Sequence, residues 1–268
     1  MPHVRKRFGQ HFLEPVWADK LVKAIAPSPD DLFLEIGPGT GVLTLRLAPR
    51  VSRLIAIEID RDLVTRLSAR LPDNVSIVTG DVLEVDFAEM LSELDPLTPI
   101  RVAGNLPYNV SSPILFRLLT LKKRRLVADA TVMLQREVAD RMVAKPGTSE
   151  YGVLSVLMQW QADVTRELTL PPGAFRPPPA VSSAVIRLAF RPPLFPVLDD
   201  VAFERMVRSM FTQRRKTLAN ALGPFATDAG TAAATVLREA GIDPRRRPET
   251  LEIVEIARLA DGFATAKR

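Results

Sequence analysis

Short apolar runs alternate with amphipathic stretches along the first part of the chain. The runs are nearly unbroken, which is typical of strands buried on both faces of a parallel sheet. We predict such strands at residues 32–37, 54–59, 75–79, 100–103 and 130–134. Helical patterns lie between them, and strands that alternate with helices form right-handed crossovers. The predicted fold class is therefore α/β, with a doubly wound sheet.

Two later apolar runs, residues 164–170 and 183–190, have no helical pattern between them. The segment that joins them contains Pro171, Pro172 and the prolines at 177–179. Proline favours turns and cannot donate a backbone hydrogen bond inside a sheet. The pattern predicts an antiparallel hairpin at the edge of the sheet.

A stiff proline-rich segment at residues 191–196 ends this region. Beyond it the apolar period changes to that of a helix. One helical face collects Phe203, Met206, Val207, Met210 and Phe211. Further helices are predicted at 233–240, before Gly241, and at 250–260. We predict an α/β domain over residues 1–192 and a small all-α domain over residues 193–268.

The composition excludes several kinds of site. The chain of 268 residues has no cysteine and only two histidines, His3 and His11. This excludes disulfides, thiolate metal sites and cysteine nucleophiles, and we expect no metal centre. No apolar run approaches the thickness of a bilayer, and the basic N-terminus lacks the apolar region of a secretory signal. The expected location is cytoplasmic, with no membrane contact.

The net charge of +5 is unevenly distributed. Basic clusters occur at residues 5–7, 122–125, 205–220 and 245–247. One such cluster is commonly a solvated surface. Four of them in a chain of this size favour a polyanionic partner such as nucleic acid.

A glycine-rich turn, from Glu35 to Gly41, follows the first predicted strand. Its glycines let the backbone approach a ligand at the edge where open α/β sheets bind ligands. Glu58 ends the second strand and can accept both hydroxyls of an adenosine ribose. Asp81 follows the third strand and can accept from an adenine amine. A tight turn and solvated carboxylates are the plain alternatives, but acids at successive strand ends favour an adenosine-containing cofactor.

The spacing of the glycines separates two such cofactors. In the dinucleotide fingerprint the third glycine comes three residues after the second. Here Gly41 follows Gly39 by two residues, which disfavours NAD. S-adenosylmethionine has no phosphate and needs only space, ribose acceptors and an anionic setting for its sulfonium. We therefore predict S-adenosylmethionine as the cofactor.

Asn105-Leu106-Pro107-Tyr108 follows the fourth predicted strand. An adenine amine is a poor nucleophile because its lone pair is delocalised into the ring. The Asn105 side-chain oxygen and a backbone carbonyl at Leu106 or Pro107 can accept its two N–H bonds and free the lone pair. Tyr108 offers a face on which the base can stack. The plain alternative is an Asn-Pro loop turn.

This tetrapeptide resembles the fourth motif of the amino-methyltransferases that act on adenine. Three further segments resemble motifs of the rRNA adenine dimethyltransferases. They are Arg-Lys-Arg-Phe-Gly-Gln-His-Phe-Leu at 5–13, Phe-Arg-Pro-Pro-Pro-Ala-Val-Ser-Ser-Ala-Val at 175–185 and Phe-Thr-Gln-Arg-Arg-Lys-Thr-Leu at 211–218. The resemblance covers almost the whole chain and is closest to the bacterial small-subunit (16S) rRNA enzymes.

The resemblance implies dimethylation of two adjacent adenines near the 3′ end of small-subunit rRNA, during late ribosome assembly. It implies a catalytic domain at 1–192 and an RNA-binding domain at 193–268. The implied cofactor-binding residues are His11, Leu13, Gly37, Glu58, Asp81 and Asn105. The target base would be held by Asn105, Leu106, Pro107, Tyr108 and Phe175, and RNA phosphate would be contacted by Arg214, Arg215 and Lys216.

Two of these assignments have plain alternatives, and at a third position the chain differs from the family. Phe175 would pack on the base opposite Tyr108, but it can equally be a core residue. The basic run at 214–216 can be a solvated helix face. The family usually has asparagine where this chain has His11. We expect His11 to contact the methionine part of the cofactor, and cofactor binding to weaken in acid as the imidazole is protonated.

Other functions remain open from the sequence. The same cofactor motifs serve methyltransferases that act on adenine in large-subunit rRNA or in DNA. A factor for ribosome assembly or transcription could also keep this fold without the activity, although the intact Glu58, Asp81 and Asn105 argue against that. A monomer is expected, because no long apolar surface stripe is evident.

Overall fold

The computed structural model describes residues 11–91 and 99–266. The strands are β1 (Phe12–Leu13), β2 (Leu32–Ile36), β3 (Arg53–Glu58), β4 (Val75–Thr79), β5 (Ile100–Asn105), β6 (Val127–Gln135), β7 (Ala162–Leu170), β8 (Phe175–Arg176) and β9 (Ser183–Phe190). One seven-stranded sheet has the order β4-β3-β2-β5-β6-β9-β7, and β1 pairs with β8 in a separate two-stranded sheet.

The five predicted strands are all present and are parallel neighbours from β4 to β6. The chain proceeds from β2 to β3 and β4 on one side, and then crosses to β5 on the other. The strand order therefore reverses between β2 and β5, where open α/β sheets bind their ligands. The prediction of a doubly wound α/β sheet is confirmed.

The predicted hairpin strands correspond to β7 and β9, and β7 is the edge strand. β9 lies between β6 and β7 and runs antiparallel to β6, with Met133 opposite Val185. The sequence did not predict β1 or β8. In that small sheet Phe12 pairs with Arg176 and Leu13 with Phe175. Strands of two residues carry no detectable periodicity, and only the tertiary fold brings these two together.

The helices before β7 are α1 (Pro15–Ile25), α2 (Thr44–Leu47), α3 (Arg61–Ser68), α4 (Phe87–Met90), α5 (Ser111–Lys123), α6 (Arg136–Met142) and α7 (Val153–Gln161). The helix α1 begins with Pro15, whose fixed φ suits a first turn. Its buried residues, Ala18, Leu21, Val22 and Ile25, recur at helical spacing and pack in the core with Phe33 and Leu54. This packing fixes the chain immediately after β1.

The later helices are α8 (Asp200–Thr212), α9 (Leu218–Ala221), α10 (Gly223–Ala229), α11 (Ala233–Glu239) and α12 (Ile253–Ala266). The predicted apolar face of α8 is confirmed, with Phe203, Met206, Val207 and Met210 buried. The Asp199 carboxylate caps α8 by accepting from the backbone N–H of Ala202 at 2.9 Å. Gly241 follows α11 with a φ of +66°, as expected of a residue that ends a helix.

The chain divides into two compact units. The first holds the described residues up to Ala139 together with Asp163–Phe190, and the second holds Asp140–Ala162 together with the described residues from Arg191 onward. The break after Phe190 is close to the predicted boundary at 192/193. The second unit also includes α7, where Trp160 packs against Phe203 with ring centroids 4.3 Å apart. The division into a catalytic and an RNA-binding domain stays a prediction.

Within residues 11–91 and 99–266, no helix is long and apolar enough to span a bilayer. No group of three or more His, Asp or Glu side chains in those ranges is arranged to hold a metal ion.

Candidate active site

A cavity of about 330 Å³ lies at the carboxyl ends of the parallel strands. Nine residues that the sequence predicted line it: His11, Leu13, Gly37, Glu58, Asp81, Asn105, Leu106, Pro107 and Tyr108. They come from the ends of β2, β3, β4 and β5 and from the segment that contains β1. Residues 5–10 of the opening motif lie outside the described residues.

The glycine-rich turn after β2 forms one wall of the cavity. Gly37 and Gly39 have φ angles of +69° and +57°, in the left-handed region that favours glycine. The Gly39 N–H donates to the Glu58 Oε2 atom at 3.0 Å. A Cβ atom at Gly39 would lie 3.2 Å from the ring of Phe12. The turn is therefore held between β3 and β1, and its backbone faces the cavity.

Glu58 is buried at the end of β3, and both of its carboxylate oxygens accept from backbone amides. Besides Gly39, the Asp60 N–H donates to Oε1 at 3.0 Å. Burial raises the pKa of Glu58, and the hydrogen bonds from Asp60 and Gly39 oppose that rise. Each oxygen keeps acceptor capacity for a ligand hydroxyl, because a carboxylate has about four lone-pair sites. The predicted role toward a ribose fits this geometry and stays a prediction.

A second carboxyl group, Glu35, lies deeper in the same wall. Burial raises the pKa of Glu35 to about 8; the Thr44 hydroxyl opposes the rise and the negative charge of Glu58 adds to it. The Oε2 atom of Glu35 is buried without a hydrogen-bond partner among the described residues. Glu35 is therefore largely protonated at neutral pH, and the cavity floor is less anionic than two carboxyl groups suggest.

Asp81 follows β4 and is half-buried at the cavity. Its Oδ1 atom accepts from the backbone N–H of Leu83 at 2.9 Å. This bond orients the carboxylate and leaves Oδ2 available. Val82 beside it is buried and also lines the cavity. An acid with an adjacent apolar wall suits an adenine ring with its amine, and this role of Asp81 stays a prediction.

Asn105 ends β5, and its amide orientation is set by a carbonyl group. The Asn105 Nδ2 atom donates to the backbone oxygen of His11 at 2.8 Å. A carbonyl oxygen can only accept, so the opposite amide orientation would place two acceptors against each other. The Oδ1 atom of Asn105 is therefore directed away from His11, and it is buried without a partner among the described residues. A buried acceptor of this kind is costly unless a ligand donates to it.

Tyr108 has contacts at its hydroxyl and on its ring. The hydroxyl lies 2.6 Å from the Ser183 Oγ atom. The His11 imidazole stacks on the ring, with centroids 5.5 Å apart and planes 24° apart. The His11 Nδ1 atom also lies 2.8 Å from the Pro177 carbonyl oxygen. The ring predicted to receive the base is thus covered by His11, which the sequence assigned to the cofactor.

Phe175 is the one predicted base-binding residue that does not line the cavity. It is fully buried in the core cluster that contains Leu13 and Met133. This position agrees with the alternative that Phe175 is a core residue. A role for Phe175 against the base stays a prediction.

The second unit contains the three predicted phosphate-binding residues. Arg215 and Lys216 are exposed. Arg214 is half-buried, and its Nε atom lies 2.5 Å from the Glu249 Oε2 atom. Arg214 also donates to the Thr148 carbonyl at 3.3 Å. The three residues therefore differ: two are open to solvent and one has an acidic partner.

Sequence reasoning missed several residues of this site. Phe12, Ile59 and Val82 supply apolar walls, and each is adjacent in sequence to a residue that was predicted. Ser183 lies within the motif at 175–185, and the sequence indicates no role for it. Its signal could not be read locally, because the Tyr108–Ser183 contact joins residues 75 positions apart.

The whole-chain pattern matches a known family. The model of the ribosomal RNA adenine dimethylase family matches residues 1–259. The chain belongs to this family.

Relatives within the family are similar over most of their length. The ribosomal RNA small subunit methyltransferase A of Syntrophotalea carbinolica is 46% identical over 261 residues, which is 96% of this chain and 95% of that protein. The protein of the same name from Chromobacterium violaceum is 44% identical over 260 residues, covering 96% and 94%.

Two solved structures of methyl-transferring enzymes are also similar to this chain in three dimensions. A dimethyladenosine transferase from Plasmodium falciparum superposes with a TM-score of 0.77 at 25% identity, covering 93% of this chain and 96% of that one. The 23S rRNA methyltransferase ErmE gives 0.65 at 25% identity, covering 94% and 99%. The similarity includes the helical C-terminal region as well as the sheet.

Proposed function

We propose that this enzyme transfers methyl groups from S-adenosylmethionine to the N6 amines of two adjacent adenines in the 3′-terminal hairpin loop of 16S rRNA. The substrate is the precursor of the small ribosomal subunit at a late stage of assembly. One observation carries the proposal: the Asn105 Oδ1 atom is a buried acceptor without a partner among the described residues. It is directed away from the His11 carbonyl and lines the same cavity as Tyr108.

The cavity fits the proposed cofactor. Its volume of about 330 Å³ falls in the range of small-molecule sites. Glu58 and Asp81 provide acceptors for a ribose and an adenine amine, and the positive-φ glycines expose backbone between them. S-adenosylmethionine supplies an electrophilic methyl group when bound. The carboxyl groups of Glu58 and Asp81 line the same cavity, which suits a positively charged sulfonium.

The chain's own contribution is to hold and activate the amine. Asn105 Oδ1 accepts one N–H bond, and a backbone carbonyl accepts the other. The Pro107 carbonyl already accepts from the Val110 N–H at 3.1 Å, which favours the Leu106 carbonyl for this role. Accepting both N–H bonds localises the lone pair on nitrogen, and stacking on Tyr108 aligns it. Fixed acceptors need no reorganisation during the transfer.

The proposed partner and location follow from the relatives and the charge. Relatives of this length are named small subunit methyltransferases, which supports 16S rRNA within the small subunit as the substrate. Arg215 and Lys216 would contact phosphate from the second unit, with Arg214 beside them. The enzyme would act as a monomer in the cytoplasm.

A second candidate is methylation of adenine in large-subunit rRNA. It is favoured by one observation, the similarity to the 23S rRNA methyltransferase ErmE over 94% of this chain. The relatives named small subunit methyltransferases, which are 44% and 46% identical to this chain, favour the first candidate.

Nucleoside mass spectrometry tests the proposal. Small subunits from a strain that lacks the modification are incubated with the protein and S-adenosylmethionine, and the rRNA is digested and mapped. N6,N6-dimethyladenosine in the 3′-terminal hairpin supports the proposal. Methylation of large subunits alone favours the second candidate.

The Asn105→Ala variant separates catalysis from binding. It removes the acceptor for the amine and should lower transfer by about 100-fold or more while RNA binding persists. If wild type and Asn105→Ala bind equally and neither methylates, the protein is an assembly factor without this activity.

A further inference from the structure

His11 contacts both of the groups that would hold the target base. Its backbone carbonyl accepts from Asn105 at 2.8 Å, and its imidazole stacks on Tyr108 at a centroid distance of 5.5 Å. The imidazole therefore covers one stacking face of Tyr108. A base that stacks on this face and offers its amine to Asn105 requires the space that the imidazole occupies.

The imidazole is held in place at its edge as well as on its face. Its Nδ1 atom lies 2.8 Å from the Pro177 carbonyl, which can only accept, so Nδ1 is the donor. Leu13 and Phe12, the next two residues, pair with Phe175 and Arg176 in the β1–β8 sheet. Glu14 continues this contact, with its carboxylate 2.9 Å from Arg176. Residues 11–14 therefore contact residues 174–177 through hydrogen bonds, strand pairing and an ion pair.

The separation of the two rings leaves no room for a base between them. Two stacking layers need about 7 Å between the outer rings, because carbon atoms in contact are about 3.5 Å apart. The centroids of His11 and Tyr108 are 5.5 Å apart. A base can reach this face of Tyr108 only if the imidazole leaves it.

We propose that His11 is a specificity-determining residue: its imidazole covers the base-stacking face of Tyr108 and the target adenine must displace it. This proposal rests on the proposed function and goes beyond it. An internal group that competes with the base lowers the apparent affinity for every adenine by the same factor. A small subunit has many other contacts that offset the loss, whereas a short single-stranded RNA does not. His11 therefore reduces methylation of adenines outside the ribosomal context.

The test compares two substrates under matched conditions. Initial rates are measured on small subunits that lack the modification, at a concentration well above their KM, and on a short single-stranded RNA with two adjacent adenines, at a concentration well below its KM. The cofactor is kept at a saturating concentration determined for each variant. His11→Ala and His11→Asn remove the ring. Both should raise the ratio of the oligonucleotide rate to the subunit rate by about threefold to tenfold, the range expected for one aromatic stacking contact.

His11→Phe is the matched control, because it keeps a planar ring against Tyr108 and loses only the bond to Pro177. Its rate ratio should stay within about twofold of wild type, since stacking is the competing interaction. A ratio that does not rise in His11→Ala and His11→Asn overturns the proposal. The proposal is also overturned if the rate ratio rises as much in His11→Phe as it does in His11→Ala.

Failure of the proposed function gives a different result. In that case the wild type produces no N6,N6-dimethyladenosine on either substrate. Access of a base to Tyr108 is then measured without catalysis. An oligonucleotide with 2-aminopurine at the target position is titrated with each variant, and its affinity and fluorescence quenching are recorded. Tighter binding and stronger quenching by His11→Ala than by wild type support the proposal, and equal binding and quenching overturn it.

Discussion

The hydroxyl groups of Tyr108 and Ser183 lie 2.6 Å apart. Ser183 is fully buried at the start of β9, and Tyr108 follows the end of β5. Burial raises the pKa of the Tyr108 hydroxyl, although the bond to Ser183 opposes the rise. The ring proposed to receive the target base is thus fixed to an antiparallel strand on the far side of β6.

Replacing Ser183 with alanine should slow methyl transfer without changing the cavity lining. The Tyr108 hydroxyl would lose its partner while remaining partly buried, and the ring would no longer be held in one orientation. One such hydrogen bond contributes about 0.5–1.5 kcal/mol, so we expect the transfer rate to fall by roughly twofold to tenfold. Single-turnover rates at saturating cofactor measure this effect.

The neighbouring serine provides the control for this variant. Ser182→Ala removes a hydroxyl one position away that does not contact Tyr108, and its rate should equal that of wild type. Adding Ser183→Ala to Tyr108→Phe should cost little, because neither member of the pair is then left without a partner. Equal rates for Ser183→Ala and Ser182→Ala would refute the positioning role.

Glu35 should make the stability of the protein fall as the pH rises. Its folded pKa of about 8 exceeds the ordinary value of 4.5, so the folded state binds more protons than the unfolded state between these values. Its contribution to stability is fully present below pH 4.5 and is lost as the pH rises through about 8. The free energy of unfolding of Glu35→Gln relative to wild type should therefore increase by up to about 1.4 kcal/mol per pH unit in this window.

Denaturant titrations at several pH values between 5 and 8 test this dependence. Glu84→Gln changes an exposed carboxylate in the same compact unit and serves as the control. A difference between Glu35→Gln and wild type that stays constant with pH would show that Glu35 is ionised throughout.

Gly104 should not tolerate a side chain. A Cβ atom there would overlap the backbone carbonyl oxygen of Ile36 on the adjacent strand, and backbone in a sheet cannot move aside. Gly104→Ala should destabilise the protein by about 1–3 kcal/mol and displace Asn105 beside it. At Gly173 an added Cβ meets no atom within 4 Å, so Gly173→Ala should leave the melting temperature unchanged. Similar melting temperatures for the two variants would contradict this reading of the sheet.

The three basic residues at 214–216 should divide into two classes. Arg215→Ala and Lys216→Ala should weaken RNA binding and lower its salt dependence by about one released ion each, with no change in stability. Arg214→Ala should also lower the melting temperature, because Arg214 contacts Glu249 and the Thr148 carbonyl. Binding isotherms at several salt concentrations and thermal melts distinguish the classes. An equal loss of stability in all three variants would argue against this division into two classes.

The strands and the acids at their ends could be predicted from the sequence. Apolar runs and glycine turns are local signals, and in a parallel sheet all carboxyl ends meet at one edge. Gly37, Glu58, Asp81 and Asn105 therefore had to converge, as they do around one cavity. The apolar face of α8 could also be predicted, because the buried residues of a helix recur at a regular spacing in the sequence.

Contacts between distant segments were decided by the tertiary structure alone. The sequence does not predict that the His11 ring stacks on Tyr108, and the assignment of His11 to the cofactor stays a prediction. The sequence also leaves open whether Phe175 is a core residue, as it is here, and its assignment to the base stays a prediction. Neither position follows from periodicity, because both depend on the pairing of two-residue strands from opposite ends of the first unit. Local patterns fix where each strand ends; side-chain partners, orphaned acceptors and shifted pKa values arise only when those ends are packed together.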